Sequence, residues 1–259
     1  VLQWTTEYFS RWDIEQPRAS AEVLLAHVLG KDRIELYLHY DQPLNKTELT
    51  RYRQAIQRRA AREPTQYITQ QQEFWSLEFE VNSSVLIPRP ETELIVESAL
   101  DLLDHDGQMV LDLGTGSGAI AVAIARERPA AGIVATDVSY GALQLARRNA
   151  LRHNVLDRIR FVAADLFDCF SLSQASFDLI VSNPPYIGEN EFDKLAPEIE
   201  MFEPHTALRG GGAAGLDTIR RILADAPSYL RPGGAILLEI GMGQAEILQK
   251  ELGQNRYFK

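Results

Sequence analysis

The sequence predicts an α/β fold, with a mostly parallel sheet and its helices following a small helical bundle and a linking β-hairpin. Three observations predict it. The apolar run Val110-Leu111-Asp112-Leu113 enters a glycine-rich turn, Gly114-Thr115-Gly116-Ser117-Gly118, and leaves it as the Ala-rich segment 119–125, a strand–turn–helix unit. Two more short apolar runs, 132–136 and 159–164, each end in an acid, Asp137 and Asp165. The first 64 residues instead carry apolar positions at helical spacing.

In chain order, Ala21, Leu24, Leu25 and Val28 form a helical stripe that Gly30 closes. Asn45 followed by Glu48 reads as a capping box opening a helix that carries Leu49, Tyr52, Ile56 and Ala60, and Pro64 stops it. Segments 66–69 and 74–81 alternate as the two strands of a hairpin, and the Pro-punctuated Leu86-Ile87-Pro88-Arg89-Pro90 introduces a helix around Glu93 to Leu103. Three segments are expected: a helical bundle over 1–64, a hairpin and linker over 65–87, and the α/β domain over 88–259. Near the C-terminus, Arg231-Pro232-Gly233-Gly234 reads as a turn before a strand over 235–240 and a final helix.

The glycine turn brings backbone N–H groups and a helix N-terminus to a bound ligand. Its spacing also satisfies the dinucleotide fingerprint, with Asp137 about 20 residues further on for ribose hydroxyls, so a nicotinamide-dependent oxidoreductase stands as an alternative. Asp165 is placed to meet a nucleobase edge, with Leu166 and Phe167 available to cover the base. The run Phe177–Ser182 then ends in Asn183-Pro184-Pro185-Tyr186. Two prolines end a strand and leave carbonyl groups free. A substrate NH2 can donate one N–H to the Asn183 side-chain oxygen and the other to the Pro184 carbonyl, with Tyr186 as a flat wall.

Composition narrows the setting. The chain of 259 residues carries a formal net charge of −10 and a single cysteine, Cys169, read as a small buried hydrophobe. The acidic balance weighs against a protein that depends on many phosphate contacts, so no stable nucleic-acid binding is expected. No stretch approaches a membrane span and no secretory pattern opens the chain; a cytoplasmic monomer without a metal site is expected. Arg51, Arg53, Arg58, Arg59 and Arg62 cluster near the end of the bundle, and Arg147, Arg148, Arg152, Arg158 and Arg160 after the second strand of the sheet. Both clusters read as solvated helix faces, with the first the better candidate for docking a macromolecule.

The order of acidic residue and G-x-G-x-G, ribose acid, adenine-side Asp and Asn-Pro-Pro-Tyr resembles class I S-adenosylmethionine-dependent methyltransferases, whose sheet is Rossmann-like. In that class the tetrapeptide accompanies methyl transfer to planar NH2 groups, the adenine amine or the glutamine amide. Residues 86–93, 112–118, 183–187 and Phe202-Glu203-Pro204-His205-Thr206-Ala207-Leu208 together resemble the PrmC/HemK family over almost the whole chain. The resemblance implies S-adenosyl-L-methionine as cofactor, and as substrate the glutamine N5 in the Gly-Gly-Gln motif of peptide chain release factors. It implies that the bundle docks this partner. It also implies two further strands that this sequence is expected to lack.

On that resemblance, Asn183, Pro184 and Tyr186 carry the chemistry, and Asp112, Gly114, Thr115, Gly116, Ser117, Gly118, Asp137, Asp165 and Leu166, with Asn183, hold the cofactor. Pro185, Pro88, Arg89 and Glu203 complete the substrate side. Pro88, Arg89 and Glu91 read equally well as helix-entry residues, and His205 is not expected to act as a base. The alternatives within the class are a nucleic-acid adenine N6-methyltransferase and a glutamine methyltransferase of a ribosomal protein.

Overall fold

The computed structural model describes residues 1–171 and 177–253. The chain divides into two compact units, Val1–Gln71 with Ala196–Phe202, and Gln72–Leu195 with Glu203–Lys259. Residues 254–259, the end of the expected α/β domain, lie outside the described residues.

The first unit holds α1 (Leu2–Arg11), α2 (Pro17–Leu29), α3 (Glu35–Leu38), α4 (Lys46–Ala60) and α5 (Thr65–Thr69). Pro17 sits in the first turn of α2, where its missing N–H costs nothing, and Gly30 ends the helix at φ +61°. The capping box of α4 is complete: the Glu48 N–H donates to Asn45 Oδ1 at 2.9 Å and the Asn45 N–H to Glu48 Oε2 at 2.8 Å. Phe9, Leu24 and Tyr52 are fully buried at the centre of this bundle. Burial pushes the Tyr52 phenol up to about 12, and its hydroxyl is satisfied by the Ala21 carbonyl at 3.0 Å.

The segment 66–69, expected as a strand, is the short helix α5. Tyr67, Ile68 and Thr69 are all buried, and consecutive burial is what a helical turn against a core allows and a half-exposed strand does not. The hairpin comes later, as β1 (Gln71–Phe74) and β2 (Leu77–Glu80). Its turn is Trp75-Ser76, both at positive φ (53° and 54°), a two-residue hairpin loop made without the Asn-Gly or Asp-Gly pair that normally announces it.

The second unit continues with α6 (Glu93–Leu102), β3 (Met109–Leu113), α7 (Ala119–Glu127), β4 (Gly132–Asp137), α8 (Tyr140–Arg152), β5 (Ile159–Ala163) and β6 (Phe177–Ser182). After α9 (Pro197–Phe202), which belongs to the first unit, come α10 (Asp217–Asp225), β7 (Leu230–Leu238) and α11 (Gln244–Leu252). The strands form one sheet in the order β5-β4-β3-β6-β7, parallel throughout. Alternate residues face opposite sides: Val110, Ile133, Leu179 and Val181 pack with α6 and α7, whereas Leu111, Leu113, Val134 and Ile180 pack with Ile222 of α10. The chain steps outward from β3 to β5 and then returns to the other side of β3 as β6. Loops leaving β3 and β6 therefore diverge, and the crevice between them is where an open parallel sheet binds ligand.

Three expectations change in detail. The turn 231–234 lies inside β7 as an irregularity, since Phe177 pairs with Leu230 while Leu179 pairs with Ala235. Phe167 is buried and stacks on Tyr229 with ring centroids 4.6 Å apart, so it is core rather than a cover for a base. Cys169 is exposed. Among the described residues, no helix is long and apolar enough to cross a membrane.

Much of the basic character is spent internally. Arg59 is buried and donates through both terminal nitrogens to Glu198 of α9, each at 3.0 Å, while Arg62 adds a longer contact to the same carboxylate. Arg58 pairs with Glu63, Arg148 with Glu80 and Arg152 with Glu78. On α2, the buried Glu22 accepts from Arg33 at 2.6 Å, from the Tyr37 hydroxyl at 2.5 Å and from Arg18. Burial raises the Glu22 carboxyl, but these donors outweigh it and hold the group at about 2. A carboxylate held below its ordinary 4.5 stabilises the fold above that pH and loses its contribution as pH falls toward 2. Glu22→Gln is therefore expected to cost about 1–3 kcal/mol at pH 7 by chemical denaturation, and to converge with the parent protein near pH 2.

Candidate active site

The glycine turn begins where β3 ends and Asn183 follows where β6 ends; Leu113 and Ser182 are register partners, so the two motifs emerge side by side. The Ser182 hydroxyl donates to the Leu113 carbonyl at 2.7 Å, binding the two exits together below the crevice. A cavity of about 240 Å³ opens there.

Side chains brace the turn. Thr115 donates its hydroxyl to Asp112 Oδ2 at 2.7 Å, and its N–H pairs with the Thr136 carbonyl at 2.9 Å. Asp137 accepts the Gly116 N–H at 2.9 Å through one oxygen and the Ser139 N–H at 2.8 Å through the other. Asn149, fully buried on α8, donates to the Ser117 and Glu80 carbonyls at 2.8 and 3.0 Å, and accepts the Glu80 N–H at 2.8 Å. Gly118 lies at φ +81°, and a Cβ there would stand 3.0 Å from that of Ala146, so this glycine allows α7 and α8 to approach.

The cavity brings together most of the expected cofactor residues, Gly114, Thr115, Gly116, Ser117, Asp137, Asp165 and Leu166, with Asn183, Pro185 and Pro88 on the substrate side. Asp112 and Gly118 lie behind the turn instead of on the cavity wall, and Pro184, Tyr186, Arg89 and Glu203 also stand back from it. Arg89 donates to the buried Glu203 at 2.6 Å and to the Ile87 carbonyl at 2.9 Å, an ion pair that fixes the backbone carrying the lining residues Pro88 and Pro204. Burial raises the Glu203 carboxyl in spite of that partner. His205 is exposed with its ring edge-on to Phe192, and Glu91 is exposed.

Several lining residues carried no sequence signal. Ser84 and Val85 close one side, and Thr218 and Arg221 approach from α10, where Arg221 donates to Asp165 at 2.9 Å. Thr92, the residue before α6, accepts the Asn183 Nδ2–H at 3.0 Å. The loop after Tyr186 is clasped by backbone: the Ile187 N–H donates to Leu208 and the Gly210 N–H to Ile187. A Cβ on Gly215 would sit 2.0 Å from the Tyr186 carbonyl. Gln244, buried at the start of α11, donates to that carbonyl at 2.8 Å and to the Ala214 carbonyl at 2.7 Å. Burial and the Glu239 carboxylate raise the Tyr186 phenol.

Asp112 is fully buried and its Oδ1 is left without a hydrogen-bond partner. Burial pushes its carboxyl up to about 7, opposed by the Thr115 hydroxyl and reinforced by Asp137. Asp112 thus braces the turn from behind through Thr115 and does not reach the cavity.

A parallel sheet with a braced glycine turn after its central strand, an acid after the next that caps this turn and Asn-Pro-Pro-Tyr after the fourth defines a class I methyltransferase domain. The family model for the PrmC N-terminal domain matches residues 1–69, and that for the methyltransferase small domain matches residues 91–213. The release factor glutamine methyltransferase of Geobacter sulfurreducens is 48% identical over 95% of this chain and 84% of its own length. That of Chlorobaculum tepidum is 42% identical over 98% of this chain and 89% of its length. Among solved structures, the hMettl16 catalytic domain in complex with a 3'UTR hairpin superposes with a TM-score of 0.56 at 21% identity, covering 75% of this chain and 72% of that one, a likeness of fold. The chain belongs to the release factor glutamine methyltransferase family.

A carboxyl raised in the fold makes stability fall as pH rises from its ordinary value of 3.8 to about 7, because the unfolded chain ionises first. Asp112→Asn is therefore expected to be more stable than the parent at pH 8, with the difference shrinking as pH falls toward 4. Thermal midpoints across that range without ligand check this; a pH-independent difference would exclude Asp112 as its source.

Proposed function

We propose that the chain transfers a methyl group from S-adenosyl-L-methionine to N5 of the glutamine in the Gly-Gly-Gln motif of peptide chain release factors. The observation that carries the reading is that Asn183, its Nδ2 committed to Thr92, faces the cavity that also exposes the glycine turn and Asp137. The names of the relatives support the same substrate. The cofactor supplies an electrophilic sulfonium methyl group, and the lining residues fit it: Asp137 for the ribose hydroxyls and Asp165 and Leu166 for the base, with Asp112 holding the glycine turn from behind.

An amide nitrogen is a weak nucleophile because its lone pair is delocalised into the carbonyl, so alignment carries the catalysis. Asn183 Oδ1 accepts an N–H at the cavity wall, and Pro184 and Tyr186, which stand back from that wall, fix the loop that carries it. As the amide nitrogen takes up the methyl group it would gain positive charge, which the Asn183 acceptor would stabilise before the proton leaves to water. No general base is required among these residues. We take the enzyme to act in the cytoplasm, where release factors work, as a monomer that holds nucleic acid only weakly. The acidic balance and the internal pairing of Arg58, Arg59, Arg148 and Arg152 support that, and favour protein over an adenine substrate.

Asp137→Ala is expected to weaken S-adenosylhomocysteine binding at least about tenfold in calorimetric titration, since charge-assisted hydrogen bonds are lost. Asn183→Ala is expected to lower turnover about a hundredfold while cofactor affinity changes little. Label from S-adenosylmethionine is expected on intact release factor, far less on a short Gly-Gly-Gln peptide that forfeits remote binding energy, and none on DNA, RNA or a factor with that glutamine changed to alanine. Label on nucleic acid, or undiminished label on the alanine variant, would overturn the assignment.

A further inference from the structure

Asn183 accepts a substrate N–H only when its amide is held one way round, because a flip replaces Oδ1 with a donor group. The structure contains a chain of hydrogen bonds that holds it. Asn183 Nδ2 donates to Thr92 Oγ1 at 3.0 Å, and Thr92 Oγ1 donates to Glu239 Oε2 at 2.7 Å. The direction is set from the far end: a carboxylate can only accept, so the Thr92 proton points to Glu239, and the lone pairs left on Oγ1 can receive only a donor. Glu239 follows β7, and its N–H donates to the Ser182 carbonyl at 3.0 Å, which fixes it beside the residue that precedes Asn183.

Thr92 occupies the N-cap position of α6, where a threonine hydroxyl ordinarily accepts a backbone N–H of the first turn; here it makes no capping bond. The hydroxyl is committed to Asn183 and Glu239 instead, in a residue only 4% exposed, where water offers the amide no competing partner. The other Glu239 oxygen accepts the Tyr186 hydroxyl at 3.3 Å. One carboxylate thus orients both the acceptor and the aromatic wall.

We propose that Thr92 and Glu239 are positioning residues for methyl transfer, holding the Asn183 amide with its oxygen toward the substrate. This rests on the reading of Asn183 as the amide acceptor. A residue that acts through Asn183 has no effect once Asn183 is gone, and that is the test.

Label transfer to intact release factor is first measured with the parent enzyme; its absence would overturn the site reading itself. Thr92→Val, which keeps the shape and removes the hydroxyl, is then expected to lower kcat about tenfold with S-adenosylhomocysteine affinity within about twofold, and Thr92→Ser to recover most of it. In an Asn183→Ala background, Thr92→Val is expected to change kcat less than about twofold. Parent-like turnover in Thr92→Val, or the same loss with and without Asn183, would overturn the relay. If Thr92→Val loses the parent's circular dichroism and so its fold, Glu239→Leu carries the same comparison. Without an acceptor at 239 the Thr92 hydroxyl can turn to Asn183 and let the amide reverse, so a loss of kcat that disappears in the Asn183→Ala background upholds the relay, and parent-like turnover overturns it.

Discussion

The glycine turn after β3 takes a path that other residues rarely adopt, with Gly114, Gly116 and Gly118 all at positive φ, and the site depends on its being held still. Backbone N–H groups aimed at a ligand are useful only when they cannot turn away. Three polar side chains from three different elements do the holding: Asp112 below through Thr115, Asp137 beside through Gly116, and Asn149 behind through the Ser117 carbonyl. Each is wholly or largely buried, so each bond forms in a setting where losing it would strand a polar group. Asp137 is thus both wall and brace, and a change there disturbs the turn as well as any ribose contact.

The second half of the site is supported on a different plan. The loop after Asn183 has few side-chain anchors and is clasped by backbone against residues 208–215, with close approaches at Gly210 and Gly215 that leave no room for a Cβ. Gln244 adds the polar bond that fixes the Tyr186 carbonyl. A cofactor turn braced by side chains and a substrate loop braced by backbone can vary separately. This suits a class of enzymes that keeps one methyl donor and changes its acceptor.

What was legible in the sequence follows from what is local. The capping box at Asn45 and Glu48, the glycine closing α2, the strand–turn–helix at 109–127 and the proline-ended strand at 177–182 are each written in neighbouring residues, and each forms. The segment 66–69 deceived because its alternation is weak and its burial is settled by the core it meets, and the Trp75-Ser76 turn has no glycine to announce it. Thr92, Glu239, Ser182 and Asn149 were invisible as site residues for a plainer reason. Their partners are 91, 53, 69 and 32 residues or more away, so only the closed sheet brings them together. The family resemblance did reach Arg89 and Glu203, yet their relation, an ion pair between a half-buried arginine and a buried carboxylate behind the cavity wall, became visible only in three dimensions.

The arrangement of charge at the site accords with alkylation of an amide better than with deprotonation of one. A base strong enough to remove an amide proton would need to be close and desolvated, and the carboxylate linked to Asn183 through Thr92, Glu239, is already committed to Thr92 and Tyr186. What the cavity offers instead is an acceptor, Oδ1 of Asn183, with the negative charge of Glu239 two hydrogen bonds away through Thr92. Acceptors fixed before the substrate arrives strengthen as the nitrogen turns cationic and need no rearrangement to do so, so their effect falls on the transition state more than on binding. The same logic explains why the carboxylate is held at one remove: in direct contact with the NH2 it would bind the ground state as strongly, and through Thr92 it acts on the orientation of the group that does the binding.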